Sequence, residues 1–587
     1  MTALLLAGLL ATAPADSLDA PCMGGAVVTR ADLEASGALH LHEIVRRALL
    51  LDGATTDGFD LAPVAGVGVP GRGRVRVFVD GAPAARGAGI EPDGLEALPV
   101  ALAEVARVVV CPGDGIAGGA FGGPWIDVET APATRHLYGS ASLGNESGDP
   151  GPQRYLDPSL PNVDRWGPDV EASAVARPPG GEAWLAVRHR DFLPTDPAIF
   201  PRTLAASVGR YPKRIGPVVT LAARGRGLRA RVAVRQFADL PFVPEVGREV
   251  PLAHASAQAT VAGARTRGDV RVWGHAHVAR VDLDRPDWSA LALDPSWREN
   301  RLDAALAARV GRPSRSVSAG VQAEQTSVAA PGFEDAVTVG RMWAEVQHGG
   351  TAGGASLTAA GTVAGGLGGG IRAEAWRRRG GLTVRLDGSA RRTLAEEQSD
   401  LSAWTTRGYD EFGTVAEATG PSDVARLRLA ASGGRGPLRL TASAEGQRAD
   451  VGDARGTATV GRIGAAWHGG VRVRAEARAQ GAVTGTPAFT DAWARLPRLR
   501  AAVDVTLRPD ERLALWARLD VRSATTWAGL GDLPAAVLLD LGLSKRAWGD
   551  RLRLSLGGRN VLGAPERRHP LGATLAPRLF VRAEARW

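Results

Sequence analysis

From about residue 134 to its end, the chain repeats one pattern: an apolar residue at every second position, with a charged or small residue between. In Leu228 to Arg235, Leu228, Ala230, Val232 and Val234 share one face, while Arg229, Arg231 and Arg235 share the other. Val471 to Gln480 sets Val471, Val473, Ala475, Ala477 and Ala479 against Arg472, Arg474, Glu476, Arg478 and Gln480. Leu438 to Glu445 and Leu513 to Arg522 do the same. A period of two is the signature of a strand with two unlike faces. Segments of eight to ten such residues suit tilted strands crossing a bilayer, lipid on one side and a wet lumen on the other.

A soluble β-sandwich also alternates, but here the pattern runs over about 450 residues, too many for one sandwich. No stretch approaches the roughly 18 apolar residues of a membrane-spanning helix, so any span is made of strands. The chain closes on a full alternating strand, Leu579 to Arg586, followed by the aromatic Trp587. Fourteen of the fifteen tryptophans lie beyond residue 133, which predicts interfacial girdles, although tyrosine is scarce at four. Glycine, at 75 residues, fits a chain of many tight turns.

The formal charge of +8 does not indicate a nucleic-acid partner. Nearly all cations are arginine, Lys213 and Lys545 being the only lysines, and they alternate with Asp and Glu instead of clustering. On a barrel's inner face, Arg229, Arg231, Arg235, Arg472, Arg474 and Arg478 would either create a field for anionic cargo or pair with carboxylates of whatever fills the lumen; pairing is the expectation.

Residues 3 to 13 form an apolar run followed by Ala13-Pro14-Ala15, a small-x-small cleavage pattern, so residues 1–15 read as an export signal. The two cysteines, Cys22 and Cys111, can pair in an oxidising compartment and close a loop of about 90 residues, worth ~4 kcal/mol.

Residues 16–133 read as a separate mixed α/β domain. Leu41, Ile44, Val45, Ala48 and Leu49 fall on one helix face. Val75 to Val79 is a strand closed by the turn Asp80-Gly81-Ala82-Pro83, a helical stretch lies within Leu95 to Arg107, and Val108 to Val110 is a further strand. Gly113 to Gly118 spells G-x-G-x-x-G, but the glycine-rich sequence after it cannot supply the helix that a dinucleotide site requires. His42-Glu43 lacks the second histidine of a zincin. His275 and His277 share a strand face near His254, and polar residues on a wet wall are the expected reading rather than a metal site. The sequence offers no catalytic constellation, no cofactor site and no enzyme motif.

In order, the domain carries Ala20-Pro21, Val27 to Leu33, Val77 to Pro83, Leu98-Pro99-Val100, Val105 to Val110, Pro112-Gly113, Gly122-Gly123 and Ile126 to Thr130. This series resembles the plug of the TonB-dependent outer-membrane receptors, with Asp80, Gly81, Pro83, Pro99, Gly113, Gly122, Gly123 and Thr130 at the plug-signature positions. Gly558 to Leu562 is similar to a stretch before that family's last strands. The resemblance implies a transmembrane antiparallel β-barrel of 22 strands over residues 134–587, with the N-terminal α/β plug in its lumen. It also implies residence in the bacterial outer membrane, contact with its lipid, and uptake of a scarce solute such as a ferric siderophore or cobalamin. Its energy partner would be the TonB transducer, although no clear coupling box stands between the signal and the plug. The competing expectation is an uncoupled plugged barrel serving as a surface-binding or structural protein.

Overall fold

The computed structural model describes residues 26–35, 76–84, most of 100–131, and the barrel strands with their turns from residue 136 onward. The longer stretches outside the description are 1–25, 36–75, 85–99, 150–162, 193–212, 285–295, 395–421 and 565–573. The predicted helix at 41–49, His42-Glu43, Cys22, Pro99, Gly113 and Gly123 all lie outside it.

The first unit is a five-stranded sheet built from β1 (Ala26–Thr29), β2 (Arg76–Val79), β3 (Ala82–Pro83), β4 (Val105–Cys111) and β7 (Trp125–Thr130), in the spatial order β1-β4-β7-β2-β3. Two short strands, β5 (Gly115–Ala117) and β6 (Ala120–Gly122), form a hairpin beside it. Val108, Val109 and Val110 are all buried, unlike a half-exposed strand, because the sheet packs on both faces. Val108 and Val110 join Leu33, Val77, Ile126 and Val128, while Val109 joins Val27, Phe78, Cys111 and Trp125. Of the helical stretch expected within Leu95 to Arg107, residues 95–99 lie outside the described residues. A single 3-10 turn at Leu102–Glu104 gives way to β4 at Val105, since Val105 and Arg107 are needed as ladder partners of Thr130 and Glu129.

The second unit is a closed antiparallel barrel of 22 strands. It begins with β8 (Leu137–Asp149), β9 (Val163–Ala176), β10 (Gly181–Phe192), β11 (Lys213–Gly225) and β12 (Leu228–Asp239). The last strand, Arg578–Arg586, pairs with the first from Phe580↔Gly144 to Arg586↔Tyr138. Trp587 extends this seam: its N–H donates to the Leu137 carbonyl at 2.9 Å, and the Leu137 N–H donates back at 3.0 Å. Closure removes the free edge that hydrocarbon would not tolerate.

Burial follows the alternation read from sequence. In β12, Arg231, Ala233 and Arg235 are buried, whereas Leu228, Val232 and Val234 are about half exposed on the outer surface. At the end where the barrel's first and last strands meet, turns are tight and use positive φ, as at Arg226-Gly227 and Gly380-Gly381. At the other end, two connections shrink to two residues, Ala330 to Phe333 and Val451 to Ala454.

The tryptophans divide: Trp467, Trp548 and Trp587 are exposed at the end bearing Leu137, as a girdle requires, whereas others turn inward. Trp184, Trp343 and Trp516 are buried on the inner face. Trp343 packs with Trp273 and Ile116 of the β5–β6 hairpin, and Trp516 stacks on Phe580 with centroids 6.2 Å apart. Trp343 thus fills space between wall and plug, while the outer belt is carried mostly by Leu and Val. Replacing a belt residue with a charge should therefore be costly. We expect Leu302→Arg, at a half-exposed outer position, to lower barrel stability by about 2–4 kcal/mol in a lipid-vesicle urea titration, and Arg301→Lys on the inner face to cost far less.

Candidate plug–barrel interface

The sheet of the first unit is held against the wall of the second mainly by charge. Its docking begins at the short helix Arg30–Ala35. Thr29 and Asp32 start that helix reciprocally: the Thr29 N–H and hydroxyl both donate to Asp32 Oδ2, at 2.9 and 2.7 Å, and the Asp32 N–H faces Thr29 Oγ1. One turn on, Glu34 meets three barrel arginines, Arg586 at 3.0 Å, Arg546 at 3.4 Å and Arg553 at 3.6 Å, as well as its own neighbour Arg30 at 3.2 Å. Burial alone would raise the Glu34 carboxyl, but Arg553, Arg586 and Arg30 outweigh it and bring the pKa down to about 2. Arg30 also donates through Nη1 to the carbonyls of Leu102, Ala103 and Val105, tying the helix to β4. Asp32 forms an ion pair with Arg472 of the wall.

A second contact reverses the polarity. The N–H groups at the start of the 3-10 turn, Leu102 and Ala103, donate to the two oxygens of Glu171 on β9, at 3.1 and 3.0 Å. An anion at the N-terminal end of a helical turn satisfies donors that have no partner within it.

The third contact is built on the β2–β3 turn. Asp80 takes a left-handed conformation, φ 56°, followed by Gly81 at φ 79°, which is why glycine is needed there. Asp80 accepts from the Thr130 N–H at 2.9 Å and the Thr130 hydroxyl at 2.6 Å, and from Arg229 Nη1 of β12 at 2.9 Å. The Gly81 N–H donates to Asp127 at 3.1 Å. One position along β12 on the same inner face, Arg231 donates to Thr130 Oγ1 at 3.0 Å and pairs with Glu104 at 3.0 Å, both members almost fully buried. Burial pushes the Glu104 carboxyl up and Arg231 pulls against that shift. Asp127 is buried beside this network. Burial, with Glu129 and Asp80 nearby, carries it up to about 7, against the pull of the Gly81 N–H and Arg229.

Of the six inner-face arginines named from sequence, Arg229, Arg231 and Arg472 pair with plug carboxylates. Arg474 pairs with Glu476 of its own strand at 2.8 Å, Arg235 donates to Ser256 at 3.0 Å, and Arg478 is buried on the same face. The signature residues Asp80, Gly81 and Thr130 meet in one network, Pro83 pairs with Phe78 in β3, and Gly122 ends β6 opposite Gly115. The G-x-G-x-x-G segment is this β5–β6 hairpin and heads no helix. Cys111 is buried and disulfide-bonded. His275 and His277 both sit on the inner face and are buried there, His275 against Asp303 and at the edge of a cavity between plug and wall, His277 against Thr260 at 2.8 Å. His254 aligns with Leu283, six residues along β-register from Thr260, and among the described residues no three metal-binding side chains gather. Sequence reading missed Glu34, Glu104 and Glu171. Glu171 carries a usable signal, since it falls at an inner position of the alternation Val170-Glu171-Ala172.

No protein-family model matches the sequence, and no curated protein does. Solved structures match the fold. A mutant of the ferric enterobactin receptor PfeA from Pseudomonas aeruginosa superposes with a TM-score of 0.73 at 10% identity, covering 98% of this chain and 99% of that one. The siderophore receptor PirA from Acinetobacter baumannii gives 0.67 at 10% identity over 96% and 98%. The ferric citrate transporter FecA gives 0.65 at 11% over 96% of each. The architecture that the sequence resemblance implied, a 22-stranded barrel with an N-terminal plug, is the one found.

Docking through carboxylates makes the interface acid-labile. A Glu34 carboxyl held at about 2 stabilises the docked state above its ordinary 4.5, and the contribution of about 3 kcal/mol is lost as pH falls from 4.5 towards 2. Glu34→Gln should flatten that part of the pH profile of the urea midpoint followed by tryptophan fluorescence. Asp127 acts in the opposite sense: its raised pKa costs stability increasingly as pH rises from about 4 to 7, so Asp127→Asn should raise the midpoint at pH 8 and leave it unchanged at pH 3.

Proposed function

We propose that the chain is an outer-membrane receptor that takes up a scarce solute, of the ferric siderophore or cobalamin class, through the lumen of its barrel. The observation that carries this reading is a plug that is fastened to the barrel wall largely by ion pairs and hydrogen bonds: Glu34 to Arg546, Arg553 and Arg586, Asp32 to Arg472, and Asp80 to Arg229. Polar contacts of this kind can be exchanged for contacts to water when the plug moves, so a plug held by them can be displaced and reseated. A plug meant as permanent filling would be better served by an apolar contact. Receptors and a transporter of the same fold, for ferric enterobactin, a siderophore and ferric citrate, support this solute class.

On this reading the apolar outer belt contacts outer-membrane lipid, and the barrel end bearing Leu137 and Trp587 faces the periplasm, where a TonB-type transducer would pull on the plug. The second reading, an uncoupled barrel that binds at the surface, shares every contact but requires no displacement.

One pair of measurements separates them. A deletion strain should lose uptake of at least one of ferric enterobactin, ferric citrate and cobalamin, and in the parent a protonophore should abolish the same uptake. Undiminished uptake of all three in the deletion strain, with no binding of the mature protein to the transducer's periplasmic domain, would leave only the uncoupled barrel.

A further inference from the structure

Arginines of the inner wall are met by carboxylates, but those along one outer edge of the barrel are not. At the end bearing Leu137 and Trp587, consecutive strands from Leu252–Arg267 round to Leu438–Val451 are joined by five turns, four of which carry outward-facing arginines. Arg265 and Arg267 stand opposite Val272 and Val270. At the next turn Arg312 stands opposite Arg315, two positions beyond the pair Val310 and Val317. Arg377 and Arg379 stand opposite Val384 and Leu382, and Arg435 opposite Leu438. All seven arginines are exposed, and the valines and leucines beside them are 38% to 57% exposed, so both kinds share the outer surface. Residues 268–269, 313–314, 380–381 and 436–437, which complete these turns, supply one carboxylate, Asp269. Among the described residues none of the seven arginines forms an ion pair. Beyond this arc the same edge is aromatic, with Trp467, Trp548 and Trp587 exposed.

We propose that this arc binds anionic phospholipid, with the headgroup phosphodiester on the guanidinium groups and the acyl chains on the adjoining valines and leucines. An exposed arginine beside a lipid-facing valine lays its methylene stem along the apolar belt and presents its charge at headgroup depth. Its planar fork matches two phosphate oxygens at once. Like charges directly opposite one another across a ladder repel, so a phosphate set between Arg312 and Arg315 relieves a cost that the bare protein carries. A soluble acidic partner would be better served by cations standing clear of hydrocarbon, whereas these adjoin it. The proposal rests on the reading of this chain as a membrane barrel and is independent of the uptake of any solute.

The test is native mass spectrometry of the full chain in detergent micelles doped with equal amounts of phosphatidylglycerol and phosphatidylcholine, counting the lipids each molecule retains. Phosphatidylglycerol should be retained over phosphatidylcholine by about fivefold, the ratio that ~1 kcal/mol from one engaged arginine produces. Millimolar glycerol phosphate should leave that ratio unchanged, because the site takes a lipid and not a free phosphate. Arg265→Gln/Arg267→Gln/Arg312→Gln/Arg315→Gln should bring the ratio close to one. Arg226→Gln/Arg508→Gln/Lys545→Gln/Arg551→Gln removes as many exposed cations from the same end outside the arc and should keep the parent ratio. Heat-modifiable migration on a gel establishes that each variant is a folded barrel, and Arg312→Gln/Arg315→Gln, which should also lower the ratio, replaces the first variant should that one not fold. Equal retention of both lipids by the folded parent, displacement by glycerol phosphate, or an equal loss in the second variant would each overturn the proposal. Flotation with phosphatidylcholine liposomes separates the two levels of failure. A folded chain that does not float overturns the membrane reading and the proposal with it, whereas one that floats but shows no preference overturns the proposal alone.

Discussion

Hydrocarbon offers no partner for a peptide N–H or carbonyl, and the remainder of this structure depends on that constraint. Each unpaired group at membrane depth costs several kcal/mol, so a spanning sheet must close on itself. Here closure is made by the seam between β8 and Arg578–Arg586, finished by the reciprocal Leu137–Trp587 pair. Once the ring is closed, strand period dictates the rest: half of every strand must suit lipid, and the other half is left to face inward.

That inward half is where the chemistry collects. The inner wall carries arginines that would repel one another in a confined space, and carboxylates answer them, two positions along the same strand or on the neighbouring one. Arg518 bridges Asp504 and Asp520, Arg372 bridges Glu374 and Asp387, and Arg582 pairs with Glu584. The plug enters as one more supplier of carboxylates, through Asp32, Glu34, Asp80 and Glu104. The formal excess of positive charge is thus largely an interior matter of mutual neutralisation, and the wall's polarity is matched to the plug and not to a distant partner.

The barrel was legible because its signal is periodic: Leu228 to Arg235 announces by itself which side chains face lipid. The plug strands at Arg76–Val79 and Val105–Cys111 were legible from apolar runs and from the Asp80-Gly81 turn. What escaped was everything set by contacts between remote positions. The stretch before Arg107 has residues that suit a helix, but Thr130 and Glu129 claim its end as a ladder. Tryptophan placement has to be taken strand by strand: Trp184 shares a face with Ala186 and Arg188, opposite Leu185 and Val187. Glu34 looked like an ordinary helix carboxylate until three arginines more than 500 positions away met it.

That separation has a consequence for how the molecule comes to be. The grip on Glu34 is made by Arg546, Arg553 and Arg586, which belong to the final strands, whereas Leu102, Ala103, Asp80 and Glu104 are held by strands near the barrel's beginning. Early in assembly the plug can find only half of its seat. The other half exists once the last strands have taken their places beside β8, and loop-closure entropy sets that step late. Seating the plug and sealing the ring are therefore coupled: a plug bound on both flanks holds the first and last strands at the spacing the seam requires, and a completed seam gives the plug its second flank. The cork helps to gather the staves.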